Sequence, residues 1–376
     1  LVQAWFARTF HSGTVYRLFA LSNFASLLAL LAYPPLIEPW IPTRAQSLAW
    51  SAGYVLFVLL CAAAGFFSLR AASNAPAAAS SAAVPDAAAP LARDYAIWLL
   101  LSAMGSYMLL AVTNHITQNI ASVPFLWILP LILYLLTFIL SFEGRGWYQR
   151  RFFLGPLAVI LVAMAWGLNA GGDIMDVTDA VPLYCAGLFV CCMFYHGELA
   201  GLKPAPRYLT RFYLMVSLGG ALGGLAVGVL APLVFTTYYE FGIGLVLTGL
   251  IAVYLLWPLP KSLPAAALGV SIACAWYVHE YIDDLTRGTS VMMRNFYGTL
   301  RVKDVGAPDD PNAVRRLMHG VIMHGEQYLE PNLSRQPTSY YGPDSGIGLA
   351  IRHFHDRPLR LGVIGLGTGT LAAWGK

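Results

Sequence analysis

The sequence has little charge. Only 11% of the 376 residues are Asp, Glu, Lys or Arg, whereas 58% are hydrophobic, and a soluble domain usually has about 25% charged residues. With so few charged side chains, much of the surface of the protein must be apolar. The composition therefore predicts that the lipid bilayer is its main partner. The net charge of +4 is small for this length, which argues against nucleic acid as a second partner.

Cysteines are also few, and their spacing is not that of metal ligands. All five lie in apolar runs, and no two form a CxxC pair. We therefore interpret them as small packing residues and predict no metal site. They are Cys61, Cys185, Cys191, Cys192 and Cys274.

Long apolar runs are abundant. About 20 apolar residues in a helix cross a hydrocarbon core of about 30 Å, and nine runs approach or reach that length. They predict an α-helical, multi-pass membrane domain with about nine spans. The runs are 15–33, 46–69, 95–113, 122–142, 152–168, 180–196, 212–235, 241–257 and 263–281.

Composition divides the chain further. Residues 1–281 form the membrane domain, in which the Ala-, Ser- and Pro-rich stretch 70–94 is predicted to be a flexible linker. Residues 282–357 are predicted to form a small β-rich part, and residues 358–376 the beginning of an α/β domain. Because the chain starts at Leu1 without a charged leader, we expect the natural protein to extend beyond it.

Within the β-rich part, alternating apolar residues predict one strand in 293–305 and another in 317–325. His319 and His324 would then lie on opposite faces of the second strand, which argues against a shared metal. Helical spacing predicts a helix in 345–354, and LRLGVIG predicts a strand after it.

Basic residues are concentrated in alternate loops. Arg70, Arg93 and Lys261 belong to this set, as do the segments EGRGWYQRR and LKPAPRYLTR, whereas GGDIMDVTD has three acids and no base. The positive-inside rule predicts that the basic loops face the cytoplasm. With nine spans the C-terminal part would lie on the other side; either it does, or one run does not cross.

Two polar segments adjoin apolar runs. His196 and Glu198 are candidates for function, because ionisable groups at membrane depth are costly; alternatively, they reach the interface and pair with Lys203 or Arg207. The segment TNHITQN, 113–119, is either a substrate or quinone contact or a water-facing loop, and we favour the loop.

Gly220 and Gly224, with a glycine before each, predict a smooth helix face for close packing.

The segment GVIGLGTGT places Gly365, Gly367 and Gly369 after the last predicted strand and before a helix expected near Leu371. Glycines there let the backbone turn sharply and approach a ligand. A dinucleotide fingerprint requires Gly or Ala at position 370, where this chain has Thr370. The GxGxG spacing favours an S-adenosylmethionine-type nucleoside; alternatively, the glycines serve only tight packing.

These motifs carry a resemblance. RNFYGTLRV, LMHGVIMHGEQ, PTSYYGPDSGIGLA and GVIGLGTGTLAAWG occur in this order, and the membrane part has YPPLIEPW, VPFLWILPLILYLLTFILSFE and YHGELAGLKPAPRYLTRFYLMVSLGGALGGL. Together they resemble fused major-facilitator-type and spermidine-synthase-like membrane proteins of bacteria. The resemblance covers nearly the whole chain and implies a place in the bacterial inner membrane.

The resemblance implies a small β-domain, a Rossmann-like domain of methyltransferase type, and transfer of an aminopropyl group from decarboxylated S-adenosylmethionine to a polyamine or other amine. Gly365, Gly367, Thr368 and Gly369 fall on the family's nucleoside loop. Tyr341 falls on its substrate-side tyrosine. The catalytic acid and the ribose-binding carboxylate are expected beyond Lys376.

Several positions depart from the family pattern, and they concern the polyamine more than the nucleoside. Gln327 could take the part of a missing glutamine. The departures are His319 for Asp, Met323 for Gln, Gly342 and Pro343 for His and Glu, and Thr368 for the loop Asp.

Three functions are therefore considered. The first is a membrane-anchored aminopropyltransferase-like enzyme, and the second is a non-catalytic membrane subunit that uses the synthase-like fold to dock other proteins. The third is a transporter, for which buried charges on facing helices are expected. An acidic residue about 20 positions after Gly369 would distinguish the first from the second.

Overall fold

The computed structural model describes residues 15–73, 89–144, 146–307, 309–354 and 360–375. Within these ranges nine helices are long and apolar enough to cross a membrane, which confirms the predicted number and indicates a membrane protein. Most of the predicted linker, residues 74–88, lies outside the described ranges, and its ends belong to helices. The nine spans comprise ten α-helices, because α7 and α8 belong to one span, Pro206–Val234. The helices are α1 (Val15–Ala32, continued by a π-helical turn, Tyr33–Ile37), α2 (Thr43–Ser73), α3 (Ala92–Asn119), α4 (Phe125–Glu143), α5 (Arg150–Ile174), α6 (Val177–Gly201), α7 (Leu209–Leu225), α8 (Ala231–Val234), α9 (Tyr239–Leu256) and α10 (Ser262–Thr286).

Helices α3 and α6 lie at the centre of the bundle. Helix α3 packs against α4, α6, α7 and α9, and α6 also contacts α4 and α5. The core between them contains large side chains such as Trp98, Tyr195 and Phe212. Cys185, Cys191, Cys192 and Cys274 belong to this core, as expected of packing residues, and Cys61 is half-buried.

The glycine face of α7 fits closely against α3, but through a different pair from the one emphasised in the sequence. A Cβ on Gly219 would overlap the carbonyl oxygen of Leu99, and one on Gly223 would overlap that of Ala103. Gly224 has only a leucine methyl at 3.9 Å from the corresponding position. The face formed by Gly219 and Gly223 therefore sets the distance between α3 and α7.

A matched pair of substitutions tests this contact. Gly223→Val is expected to destabilise the bundle by at least about 1–3 kcal/mol, because a backbone carbonyl gives way less easily than a side chain. Gly224→Val, next in the chain, places its Cβ only in ordinary van der Waals contact with a leucine methyl, so it should change the thermal unfolding temperature in detergent little. Equal effects of the two variants would contradict this packing.

Four antiparallel strands follow the bundle in the order β1-β2-β3-β4. They are β1 (Thr289–Asn295), β2 (Gly298–Val305), β3 (Val314–His319) and β4 (Ile322–Tyr328). The prediction of two strands was therefore wrong, since each predicted segment contains a turn. The turns depend on Gly298 and Gly320, whose φ values of 143° and 58° are unfavourable for other residues.

Residues alternate between the two faces of this sheet. Arg301 pairs with Met292 on one face, and its neighbour Val302 pairs with Leu317 on the other. We call the face of Arg301, which lies against the helix ends, the inner face, and the face of Val302 the outer face.

The inner face is fixed to the bundle by a buried ion pair. The Arg294 guanidinium in β1 donates two hydrogen bonds of 2.8 Å to the carboxylate of Glu240 at the start of α9, and one of 2.8 Å to the carbonyl oxygen of Thr237. The two charged side chains are only 2% and 1% exposed. At the β3–β4 turn, a Cβ on Gly320 would overlap the carbonyl oxygen of Gln118, the penultimate residue of α3.

These contacts show on which side of the bundle the sheet lies. The sheet follows α10 and touches the end of α3 and the start of α9. Successive spans run in opposite directions across the bundle. The loops that carry the basic residues therefore all lie at the end of the bundle opposite to the sheet. The fold therefore separates the sheet from the basic loops.

The end of the chain differs from its prediction. The predicted helix is confirmed as α11 (Gly346–His353), with the Ser345 hydroxyl accepting a hydrogen bond from the Gly348 amide at its start. In the described range 360–375 there is no strand, and the helix expected near Leu371 is a 3-10 turn, Thr370–Trp374. A strand is held by hydrogen bonds to a neighbour, and the described strands offer LRLGVIG none.

Candidate functional site

The glycine loop lies against the outer side of β4. Gly365, Gly367 and Gly369 have φ values of 82°, 60° and 80°, a region in which side chains are strained. A Cβ on Gly325 in β4 would overlap the Thr368 hydroxyl oxygen. Glycine is therefore required in the loop because of its backbone conformation, and at Gly325 because a side chain there would meet the loop.

A cavity of about 490 Å³ lies between the glycine loop, the outer face of the sheet and the segment that follows β4. We call it the outer cavity. Its volume is in the range of about 300–1,000 Å³ that is typical of small-molecule sites. Three of the predicted site residues, Gln327, Thr368 and Gly369, line it together with Thr370 of the glycine loop and polar residues from β3, β4 and the following segment: Arg315, Glu326, Ser334, Arg335 and Gln336.

Most charges of the outer cavity are paired. Arg315 donates hydrogen bonds of 2.7 and 2.8 Å to the Asp304 carboxylate, and these bonds lower the pKa of Asp304. The Glu326 carboxylate accepts a hydrogen bond of 2.7 Å from Arg316 on the inner face of the sheet, so it adds no unpaired charge to the outer cavity. The wall facing a ligand therefore consists largely of polar groups of low net charge, including the hydroxyls of Thr368 and Thr370, which are 2.8 Å apart.

The two substrate-side candidates lie beside this loop but have structural bonds as well. The Gln327 amide donates a hydrogen bond of 3.0 Å to the carbonyl oxygen of Ser334. The Tyr341 hydroxyl oxygen is 3.8 Å from the place of a Cβ on Gly367, and the carbonyl oxygen of Tyr341 accepts a hydrogen bond from the Trp374 indole. The structure therefore brings Gln327, Thr368 and Gly369 to the outer cavity, whereas Gly365, Gly367 and Tyr341 lie beside it and are not among the residues that line it.

Ser339, which sequence reasoning missed, adds backbone strain next to this site. It is the one residue other than glycine in the described ranges with positive φ, 53°, and its buried hydroxyl has no hydrogen-bond partner there. Strained residues persist where the surrounding structure fixes them, and they are frequent at functional sites. No sequence signal could have indicated it, because serine is common in turns.

His319 and His324 do not lie on opposite faces, as predicted, because a turn separates them. Their rings lie 5.7 Å apart and nearly parallel, at 27°. The described residues contain no group of three or more metal-ligating side chains that includes them.

In the membrane, His196 is fully buried one turn before the end of α6. Its Nδ1 is 2.9 Å from the Thr137 hydroxyl, its ring stacks on Phe138 at 3.6 Å, and its Nε2 has no partner among the described residues. A Cβ on Gly105 would lie 2.9 Å from that nitrogen. The imidazole therefore fills a closed space between α3, α4 and α6.

Glu198 joins α5 to α6. Its carboxylate accepts hydrogen bonds from the Tyr148 hydroxyl at 2.6 Å and from Arg150 Nε at 2.7 Å. Burial, and then the carboxylate, raise the pKa of Tyr148, so this hydroxyl remains a donor. The partners of Glu198 are therefore Tyr148 and Arg150, which are distant in the chain, and not the predicted Lys203 or Arg207.

The segment TNHITQN is helical, so the predicted loop was wrong. Thr113 and Thr117 donate hydrogen bonds to carbonyl oxygens one turn earlier, at 2.6 and 2.8 Å. His115 is buried against the rings of Tyr184 and Phe241. The hydroxyls of Thr113 and Thr117 are therefore bonded within their own helix, and His115 and Asn119 line a cavity described below.

Comparison of the chain with protein-family models, curated proteins and solved structures finds no match.

Proposed function

We propose that this chain is a spermidine-synthase-like membrane protein that binds decarboxylated S-adenosylmethionine, or a related nucleoside, at the outer cavity. Aminopropyl transfer to an amine is the reaction that follows from this ligand. The observation that carries the proposal is that Gln327, Thr368 and Gly369 line one cavity, with Tyr341 beside the same glycine loop.

The residues present fit such a ligand. The positive φ values of Gly365, Gly367 and Gly369 leave the loop without side chains, so that its amides can approach a nucleoside. The hydroxyls of Thr368 and Thr370 can donate to or accept from ribose or base. When bound, the sulfonium ligand supplies a carbon that an amine can attack.

Binding calorimetry on the full-length protein in lipid nanodiscs tests this proposal. Decarboxylated S-adenosylmethionine is expected to bind saturably. NAD should bind much more weakly, because Thr370 occupies the place where a dinucleotide loop requires Gly or Ala. The absence of saturable binding by any adenosyl compound, or a preference for NAD, would contradict the proposal.

The second candidate is a non-catalytic membrane subunit, and the orientation of the sheet favours it. The sheet lies on the side opposite the basic loops, which the positive-inside rule assigns to the cytoplasm. The outer cavity would then face away from the cytosol, where adenosyl compounds are made. In this case the outer cavity binds a ligand, or the sheet docks another protein, and no reaction is catalysed.

The orientation can be measured through Phe296, which is 88% exposed at the β1–β2 turn. The variant Phe296→Cys is expected to react with a membrane-impermeant maleimide added to intact cells. The unaltered chain is the control, because four of its cysteines are buried and the fifth is half-buried. Labelling only after cell lysis would place the sheet in the cytoplasm and favour the enzyme.

A further inference from the structure

A second cavity, of about 470 Å³, lies between the inner face of the sheet and the ends of the membrane helices. We call it the inner cavity. Its walls come from α3, α5, α6, α10, β1, β2 and the β3–β4 turn. Because Arg301 lines this cavity and Val302 lines the outer one, β2 separates the two.

A buried hydroxyl without a partner lies in the wall of the inner cavity. Tyr184 is 1% exposed, and its hydroxyl forms no hydrogen bond with any described residue. The oxygen is 2.9 Å from the place of a Cβ on Gly167, which also lines the cavity. Leaving a buried hydroxyl unbonded costs about 1–3 kcal/mol, so a ligand that bonds to it is stabilised.

The wall also contains three charges without ion-pair partners among the described residues. They are the carboxylates of Asp176 and Asp284, which are exposed at the mouth of the cavity, and the half-buried guanidinium of Arg301. The lining also includes apolar side chains, among them Leu168 and Met175, and uncharged polar ones, among them Asn119 and Asn169. A complementary ligand has two positive groups, one carboxylate and a short apolar stem.

We propose that the inner cavity binds a cationic amino acid of the ornithine and lysine class. The ligand carboxylate pairs with Arg301, whose planar fork suits a carboxylate, and the two ammonium groups lie against Asp176 and Asp284. An ammonium group can also donate to the Tyr184 hydroxyl oxygen, and the tyrosine rings of the wall attract cations. This site does not depend on nucleoside binding at the outer cavity.

Calorimetry on the full-length protein in uncharged nanodiscs at neutral pH tests the proposal with three probes. L-ornithine carries all three groups, 1,4-diaminobutane lacks the carboxylate, and L-norvaline lacks the second ammonium. Ornithine is expected to bind at least about tenfold more tightly than either, equivalent to about 1.4 kcal/mol. The absence of saturable ornithine binding, or equal affinity for all three probes, would overturn the proposal.

Two variants at the rim of the cavity assign the groups. Arg301→Gln should weaken ornithine binding at least about tenfold and leave diaminobutane binding nearly unchanged, whereas Asp284→Asn should weaken both. Asp283→Asn is the matched control, since Asp283 pairs with Arg287 in solvent and does not line the cavity. If the control weakens binding as much as Asp284→Asn, or if Arg301→Gln has no effect on ornithine, the proposal fails.

The glycine-loop variant Gly367→Val separates this site from the proposed function. It should leave ornithine binding unchanged, because Gly367 belongs to the segment on the outer face. Loss of ornithine binding in this variant would show that the amino acid binds at the outer cavity instead.

Discussion

Replacing Arg294 by Met is expected to lower the free energy of unfolding of the sheet by about 3–5 kcal/mol. The variant leaves the Glu240 carboxylate, which is 1% exposed, buried without its cation. It also removes the hydrogen bond to Thr237 and the guanidinium from above the Tyr238 ring, 4.2 Å away. Because these contacts join β1 to α9, the sheet should come away from the bundle.

Pulse proteolysis during urea unfolding in mixed micelles measures this effect. The double variant Arg294→Met with Glu240→Leu should recover most of the lost stability, because apolar pairs often replace buried ion pairs without loss. Arg287→Met removes an exposed ion pair with Asp283 and should cost less than about 1 kcal/mol. Equal losses for Arg287→Met and Arg294→Met would show that the buried pair does not fix the sheet.

Gly367→Val is expected to reduce nucleoside affinity at least about 100-fold, equivalent to about 2.8 kcal/mol. At φ 60° a β-branched side chain is strained. The new methyl groups would also fill the gap towards the His324 carbonyl and the Tyr341 hydroxyl, which are 3.6 and 3.8 Å from the added Cβ. The loop would therefore move and its amides would lose their positions.

The matched control for this variant is Gly362→Val. Gly362 has no positive φ and no atom within 4 Å of an added Cβ, so binding should remain within about twofold. Calorimetry of both variants checks the prediction. Undiminished binding by Gly367→Val would exclude the glycine loop as the nucleoside site.

The sequence predicted the membrane part well, because length and hydropathy alone determine where a helix can span. The prediction was less successful where a polar residue or a glycine is compatible with two kinds of local structure. TNHITQN resembles a loop, yet Thr113 and Thr117 bond back to their own helix. Gly298 and Gly320 lie in segments with the alternation of single strands, yet their positive φ values form turns.

Contacts between distant segments were not predictable from one sequence. Arg150 and Glu198, or Arg294 and Glu240, are joined only by the packing of the helices and the sheet. The inner cavity likewise depends on how the sheet meets the bundle. The glycine loop could be identified, because glycine spacing expresses a local backbone requirement.

Hydrogen–deuterium exchange of the full-length protein, with and without decarboxylated S-adenosylmethionine, tests the central claim most directly. We expect the nucleoside to slow exchange in 324–327 of β4 and in 365–375 together, and to leave the membrane helices unchanged. Protection confined to other segments, or no change in either of these two, would contradict the assignment of the outer cavity as the nucleoside site.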